Sequence, residues 1–87
     1  MKSDDIFFVY ALFNINFKRI YVGLSSNVDK RLKYHNSKKV FSTKAFVPWI
    51  LFYKECCGNR KLAREREKYL KSGIGKEYLK GILKYTN

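Results

Sequence analysis

Uninterrupted apolar runs alternate along this chain with amphipathic segments, and the two patterns predict different elements. Residues 6–13 are apolar, branched and aromatic throughout, which is typical of a strand buried on both faces. After a short turn, residues 18–23 predict a second strand, and the short connection makes the pair an antiparallel hairpin. Residues 49–54 follow Pro48 and predict a third strand, because they are rich in aromatic and branched side chains.

Three helices are predicted from the spacing of the remaining apolar positions. Ser26, with Asp29 three positions later, has the form of a capping box for a helix that ends near residue 36. A second helix covers residues 59–72, with Gly73 expected as the left-handed residue after its end, and a third runs from about residue 75 to 84. The residues expected on the helical stripes are Val28, Leu32, His35, Leu62, Ala63, Arg66, Tyr69, Leu70, Tyr78, Leu79, Ile82 and Leu83.

The resulting order, ββαβαα, predicts an α+β fold in which a three-stranded antiparallel sheet is flanked by helices. The 87 residues are expected to form one domain, with its core between about residues 6 and 84, because 46% of them are hydrophobic and suffice to close a single core. No room is expected for a separate substrate-reading domain.

The charge of the chain indicates a polyanionic partner. Its net charge is +12, and the excess lies in residues 18–44, with eight basic residues and one acid, and in residues 59–84, with nine and three. Such a field concentrates polyanions, so nucleic acid is the first partner to consider and an anionic membrane surface the second. A lysine-rich surface selected for solubility is the alternative interpretation.

The cysteines and the length of the longest apolar runs bear on where in the cell the protein is expected. Cys56 and Cys57 are adjacent and are the two cysteines of the chain, so neither a disulfide framework nor a CxxC metal site is predicted. We interpret them as reduced, which favours a cytoplasmic location. No apolar run approaches about 20 residues, so neither a membrane span nor a signal peptide is expected.

Five side chains offer the chemistry that phosphodiester hydrolysis needs, namely a base for water, positive charge on the phosphate and a cation for the leaving oxygen. They are Tyr10, Tyr21, Arg31, His35 and Glu67. Arg31 and His35 are four residues apart on one predicted helix, so they are neighbours on its surface. A single suitable carboxylate, Glu67, argues against two-metal chemistry and permits one metal ion that keeps most of its water.

At these positions the sequence resembles the GIY-YIG nuclease superfamily, in particular its small stand-alone bacterial members. The two signature triplets are similar to FVY at residues 8–10 and YVG at residues 21–23, which ten residues separate. Residues 31–36 resemble the arginine helix of the family. Pro48-Trp49 and the segment 63–73 are similar to later landmarks, so the resemblance covers nearly the whole chain.

The resemblance implies hydrolysis of a DNA phosphodiester with one divalent ion, Mg²⁺ or Mn²⁺. Tyr10 would activate or position the attacking water, itself or through a neighbour, and Tyr21 would orient the scissile phosphate. Arg31 would stabilise the charge that develops on that phosphate. His35 would assist proton transfer, and Glu67 would hold the metal.

The remaining site residues are expected to contact the DNA. They are Gly23, Ser25, Lys33, Lys38, Lys39, Thr43 and Lys44. The glycine would let the backbone pass close to the substrate. The basic, hydroxyl-bearing segment 37–47 would contact phosphates, and a solvated surface loop is the alternative for it.

Two departures from the family pattern keep other functions open. The first triplet begins with Phe8-Val9 rather than Gly-Ile, and residues 74–80 lack an asparagine that many members carry near the end of the domain. The second departure favours a nucleic-acid-binding module that cuts slowly or not at all. A basic adaptor for proteins is a third hypothesis, and Glu67 can also be a helix-surface acid paired with Lys71. Branched or nicked DNA, and a monomer or a homodimer, are all compatible with the sequence.

Overall fold

The computed structural model describes residues 6–86, with side chains for residues 6–84. Within that range it has three strands and three α-helices in the predicted order. Their bounds are β1 Phe7–Asn14, β2 Arg19–Ser25, α1 Val28–Asn36, β3 Ile50–Gly58, α2 Arg60–Lys71 and α3 Gly73–Thr86, with a short 3-10 helix at Lys44–Phe46. The ββαβαα order and the α+β class are therefore confirmed.

Strand β1 lies in the middle of the sheet, whose strand order is β2-β1-β3 with both pairs antiparallel. Its residues Val9, Tyr10, Ala11 and Leu12 are all buried, so the predicted burial on both faces is confirmed. Because side chains alternate along a strand, Val9 and Ala11 face one side of the sheet and Tyr10 faces the other.

Two hydrophobic clusters result, one on each face of the sheet. On one face Val9 and Ala11 pack with Ala63 and Leu70 of α2 and with Leu79 of α3. On the other face Tyr10 and Leu12 pack with Val28 of α1 and with Trp49. The candidate catalytic tyrosine is therefore a core residue of the second face.

The segment between α1 and β3, residues 37–49, is called the connecting loop below. Two asparagine side chains hold it against the sheet. The Asn14 side-chain amide donates to the Pro48 carbonyl at 2.8 Å, and the Asn36 side chain bonds the Trp49 backbone in both directions, at 2.6 and 3.0 Å. These bonds satisfy backbone groups that a loop would otherwise leave to water, and they fix the path of the loop.

The start of α1 differs from the prediction, because the cap is Asn27 and not Ser26. The Asn27 side-chain oxygen accepts from the Lys30 amide at 3.0 Å, and the helix begins at Val28. The Ser25 hydroxyl accepts from the Asn27 amide at 3.0 Å and so supports the capping residue. Asparagine and serine are both good N-caps, and the preceding Ser25 turn decides between them here.

The prediction that Gly73 ends α2 in a left-handed conformation is also wrong, since α3 begins at that residue. Ser72 makes the break instead. Its hydroxyl donates to the Tyr69 carbonyl at 2.6 Å and accepts from the Gly75 amide at 3.3 Å. A Cβ on Gly75 would lie 2.2 Å from the Tyr69 carbonyl oxygen, so this glycine is what allows α3 to cross the end of α2 closely.

The predicted helical stripes are only partly buried. Leu79 is buried as predicted, whereas Tyr78, expected beside it, is exposed and lies edge-on to Tyr53 with ring centroids 6.0 Å apart. Leu62 and Tyr69 of α2 are likewise exposed. The close crossing of α2 and α3 narrows the buried stripe and leaves its flanking positions in solvent.

Candidate active site

Tyr10 lies beside Gly23, its partner in the β1–β2 register, and is 1% exposed. A Cβ on Gly23 would be 2.7 Å from the Tyr10 hydroxyl oxygen and 3.0 Å from the Tyr21 ring. No ordinary side chain tolerates such a distance, so Gly23 leaves the space that the Tyr10 ring occupies. The structure thus shows a steric reason for glycine here that the sequence did not reveal.

A chain of hydrogen bonds leads from Tyr10 into the connecting loop. The Tyr10 hydroxyl lies 2.9 Å from His35 Nε2, and His35 Nδ1 lies 2.8 Å from the Thr43 hydroxyl. The Thr43 hydroxyl also donates to the Val40 carbonyl, at 3.4 Å. This pattern assigns Nδ1 as the donor to Thr43 and leaves Nε2 to accept the Tyr10 proton.

Thr43 is not among the solvent-facing residues, contrary to the expectation that it contacts phosphate. It is 1% exposed, and its hydroxyl is bonded to His35. The Trp49 indole N–H donates to the Thr43 carbonyl at 3.0 Å and so turns this part of the loop inward. Thr43 therefore orients the histidine.

The pKa values at this centre lie far from neutral. Burial, with smaller contributions from the charges of Tyr21 and Glu67, raises the pKa of Tyr10 to about 12, while hydrogen bonding and charge from Arg31 oppose the shift. Burial, followed by the charge of Arg31, lowers the pKa of His35 to about 4. Both groups are therefore neutral near pH 7. Of the five residues predicted to carry catalysis, Tyr10 carries this hydroxyl, His35 bonds it, and the other three contribute to the position of its pKa.

Tyr21 forms the side wall of the centre. Its ring centroid is 4.8 Å from that of His35 and 6.3 Å from that of Trp49, in tilted and edge arrangements that favour aromatic contact. The residue is half-buried, so one part of it packs on His35 while another part reaches solvent. Tyr21 is thus placed to touch a molecule that approaches Tyr10.

Glu67 supplies the negative charge of the site from α2. Its side chain is 14% exposed and pairs with Lys71 Nζ at 3.3 Å and with Arg64 Nε at 3.9 Å. In the part of the chain with described side chains, no three His, Cys, Asp or Glu residues are arranged to hold a metal ion. A metal here would have a single protein carboxylate, which fits Mg²⁺, since that ion commonly keeps several waters and takes one or two carboxylates plus phosphate oxygens.

A cleft of about 490 Å³ opens beside this centre, at the turn between β2 and α1. Arg31 lines the cleft, and its charge and hydrogen bonding also oppose the rise in the Tyr10 pKa. Arg31 therefore acts on both the open cleft and the buried hydroxyl. The other lining residues are Ser25, Ser26, Asn27, Lys30 and Tyr34. Ser25 was predicted to contact substrate, whereas the others were missed, because only their nearness to Arg31 marks them.

The predicted DNA-contacting lysines are exposed. Lys33 is in the last turn of α1, and Lys38, Lys39 and Lys44 are on the connecting loop. Lys39 Nζ lies 5.8 Å from the centre of the Tyr34 ring. Lys39 therefore borders the cleft, which Tyr34 lines.

The catalytic domain of the GIY-YIG family matches residues 6–79 of this chain. The chain belongs to the GIY-YIG family. The match includes all the site residues described above, from Tyr10 on β1 to Glu67 on α2, and the fold is of the nuclease type. Among the described residues, no helix is both long and apolar enough to cross a membrane.

A curated relative of this GIY-YIG chain is a UPF0213 protein of Bacillus licheniformis, which is 40% identical over 53 residues. The alignment covers 60% of this chain and 55% of the relative, so the chain spans about half the length of the protein it matches. The name of that protein states no activity, so the likeness supports the family and not a reaction. No solved structure matches the chain.

Proposed function

We propose that this GIY-YIG protein is an endonuclease that hydrolyses DNA phosphodiester bonds with one divalent metal ion. One observation supports this most directly: the Tyr10 hydroxyl lies 2.9 Å from His35 Nε2 and is also within the electrostatic influence of Arg31 and Glu67. A proton acceptor is thus bonded to this hydroxyl, and the charges of a cation and a carboxylate act on its pKa. The +12 net charge gives the protein an affinity for the polyanion on which this group would act.

The Tyr10 hydroxyl group is better suited to relaying a proton than to acting as an ionised base. With a pKa of about 12, ionised Tyr10 is scarce near pH 7. Its oxygen can instead accept a proton from water while its own proton passes to His35 Nε2, so no charge rests on the phenol. The water oxygen then bonds to phosphorus, the bond to one sugar oxygen breaks, and solvent protonates the leaving oxygen.

Substrate binding itself would make His35 a better base. The charge of Arg31 is the second cause of the low His35 pKa. A phosphodiester bound to Arg31 brings a negative charge that offsets this contribution, so the pKa of His35 rises, while burial, the larger cause, still holds it below its ordinary value. Arg31 would also stabilise the charge on the pentavalent phosphate, which is the larger demand of the transition state.

Glu67 would hold the metal, Mg²⁺ or Mn²⁺. Such an ion supplies neutralisation of phosphate charge and stabilisation of the leaving oxygen. Lys71 and Arg64 keep the carboxylate oriented through ion pairs with its two oxygens. Tyr21 would hold the scissile phosphate from the side wall.

A nucleic-acid-binding module that does not cut is the second candidate. One observation favours it: in the free protein, neither Tyr10 nor His35 has a pKa near 7, where general acids and bases work best. Both candidates bind the same ligands, so cleavage decides between them.

The test is cleavage of a labelled DNA panel comprising single strand, duplex, flap, fork and four-way junction, with Mg²⁺ or Mn²⁺. The variants are Tyr10→Phe, Arg31→Ala and Glu67→Gln. Their matched controls are Arg60→Ala and Glu65→Gln, which change the same residue types at exposed positions of α2. Binding of each variant is measured at the same salt concentration, so that loss of affinity is separated from loss of cleavage.

We expect wild type and both controls to cut and the three site variants to lose at least about 100-fold in rate, since proton transfer alone contributes about 10²- to 10⁴-fold. Cleavage that survives Glu67→Gln, or that is lost equally in Glu65→Gln, would contradict the assignment of Glu67. If wild type binds the panel but cuts no more than the site variants, the binding module replaces the nuclease.

A further inference from the structure

The connecting loop presents an aromatic ring to solvent beside the active site. Phe41 is 85% exposed, more than any other large hydrophobic side chain of the described residues. Lys44 Nζ lies 5.0 Å from the centre of its ring. An exposed Phe forgoes a favourable burial worth about 1.5–3 kcal/mol, so this ring is available to a partner.

The loop holds Phe41 in place although the ring itself is free. The amides of Thr43 and Lys44 both donate to the Val40 carbonyl, at 3.1 and 2.9 Å, and close a turn with Phe41 inside it. Thr43, two residues after the ring, bonds His35 through its buried hydroxyl. The backbone on either side of Phe41 is thus fixed by hydrogen bonds that connect to the chain ending at Tyr10. Little ordering of the loop would therefore be needed when the ring binds a partner.

A second exposed aromatic ring lies in the cleft itself. Tyr34 is exposed and lines the cleft next to Arg31. Arg31 Cζ and Lys39 Nζ lie 5.3 and 5.8 Å from the centre of its ring. Aromatic rings alternating with cations on an open surface are the arrangement that binds single-stranded nucleic acid, because bases stack on the rings while the cations follow the phosphates.

The next most exposed apolar residue of the described chain lacks this combination. Ile74 on α3 is 72% exposed, yet an aliphatic side chain offers no flat face for stacking and lies with α3 on the other side of the sheet. The charge of residues 18–44, eight basic residues and one acid, also favours an anionic ligand at the Phe41 surface.

We propose that Phe41, supported by Tyr34, stacks on an unpaired base next to the phosphate bound at Arg31. The substrates would then be DNAs that expose bases, such as flaps and junctions, rather than continuous duplex. In a duplex both faces of each base are covered by neighbours, so stacking on Phe41 would first require unstacking, which costs a few kcal/mol. This inference rests on the proposed function above for the identity of the substrate.

The experiment measures binding in EDTA, where no metal-dependent cleavage can occur. The probes are a flap and a matched duplex, each with 2-aminopurine, a fluorescent base that stacking quenches, at the same position. The variants are Phe41→Ala, Phe41→Leu and Phe41→Trp, with Ile74→Ala as the control for loss of an exposed apolar side chain. Circular dichroism verifies that each variant is folded.

We expect Phe41→Ala and Phe41→Leu to weaken flap binding by about tenfold and to remove the quenching, as expected for the loss of one base–aromatic stack. Duplex binding should change less than about twofold, and Phe41→Trp should retain both flap affinity and quenching. Ile74→Ala should resemble wild type. Equal losses on flap and duplex, wild-type flap affinity and quenching of Phe41→Leu, or no binding of the flap by wild type would overturn the proposal.

The outcome is separable from that of the nuclease proposal. If the flap quenches as expected but wild type cuts nothing with Mg²⁺ or Mn²⁺, stacking stands and the nuclease fails. If cleavage depends on Arg31 and Glu67 while Phe41→Ala binds the flap normally, the nuclease stands and stacking fails.

Discussion

The Tyr10 ring occupies the space that a side chain at Gly23 would fill, and this gives the glycine a steric role in the candidate site. A Cβ at position 23 would lie within 3 Å of both the oxygen and the adjoining ring carbon of Tyr10. The Tyr10 ring is buried and bonded to His35, so it cannot swing aside without breaking that bond.

Gly23→Ala is therefore expected to lower the free energy of unfolding by about 1–3 kcal/mol, the usual cost of overfilling a core, and to abolish cleavage. Gly81→Ala is the control. No atom lies within 4 Å of a Cβ built there, inside α3, so that variant should be neutral or gain up to about 1 kcal/mol. Urea unfolding measures both, and equal stabilities would contradict the steric role of Gly23.

His35 makes stability depend on pH, since its pKa is about 4 in the folded protein against 6.5 without burial. The unfolded chain binds the proton more tightly, so stability is complete above about pH 6.5 and falls as the pH drops toward 4. From pH 7 to 5 we expect the free energy of unfolding to fall by about 2 kcal/mol through this residue. His35→Gln should remove that part of the slope, whatever its effect at pH 7, and an unchanged slope would contradict the assignment.

At the residue scale, family motifs mark positions and not contacts. The sequence therefore indicated most of the residues of the candidate site but not how they are bonded. Tyr10, Arg31 and His35 were placed correctly near one another. Thr43 was expected in solvent, because a threonine in a basic loop carries no sign of which way the loop turns. Asn14 read as a turn residue, whereas it is buried and anchors the loop by long-range bonds that the local sequence does not show.

At the element scale, the cap of α1 matters because that helix carries both Arg31 and His35. Asn27→Ala removes the bond from the Lys30 amide and is expected to cost about 1 kcal/mol. Ser26→Ala, which the capping-box prediction would have made costly, should change stability by less than about 0.5 kcal/mol. Thermal unfolding of the two variants measures this, and the reverse ranking would restore Ser26 as the cap.

Strand and helix order was predictable because hydrophobic periodicity survives over a whole element, whereas element ends depend on single competing contacts. Strand β3 runs beyond the strand-like segment 49–54 to Gly58, where a break was expected, because β1 supplies pairing partners as far as Phe7. The polar residues in that extension lack an apolar pattern, so pairing and not hydrophobicity makes them a strand. The α2–α3 break likewise depends on a serine hydroxyl that propensity ranks below glycine.

On the scale of the whole molecule, one group of cations lies on the connecting loop, which carries Lys38 and Lys39, and a second group lies on α2 and α3. We expect the first group to contact phosphates. Lys38→Gln combined with Lys39→Gln should weaken binding to flap and duplex alike and reduce the slope of log affinity against log salt by about 2, that is, about 0.9 per phosphate contact. Lys61→Gln combined with Lys84→Gln removes equal charge from α2 and α3 and should leave the slope nearly unchanged. Equal slopes for the two double variants would mean that the charge acts without a defined contact.

Because β1 is the central strand, its residues are buried on both faces of the sheet, whereas part of the connecting loop is exposed. The amides of Val9 to Leu12 belong to both cores, so their hydrogen exchange should follow global unfolding, while the exposed part of the connecting loop should exchange through local opening. For protein engineering, this separates two kinds of change. Under the proposed function, substitutions at Phe41 and the neighbouring lysines are expected to alter which DNA is bound and to leave the bond between Tyr10 and His35 in place, whereas changes on β1 are expected to alter both the proposed chemistry and the expression level.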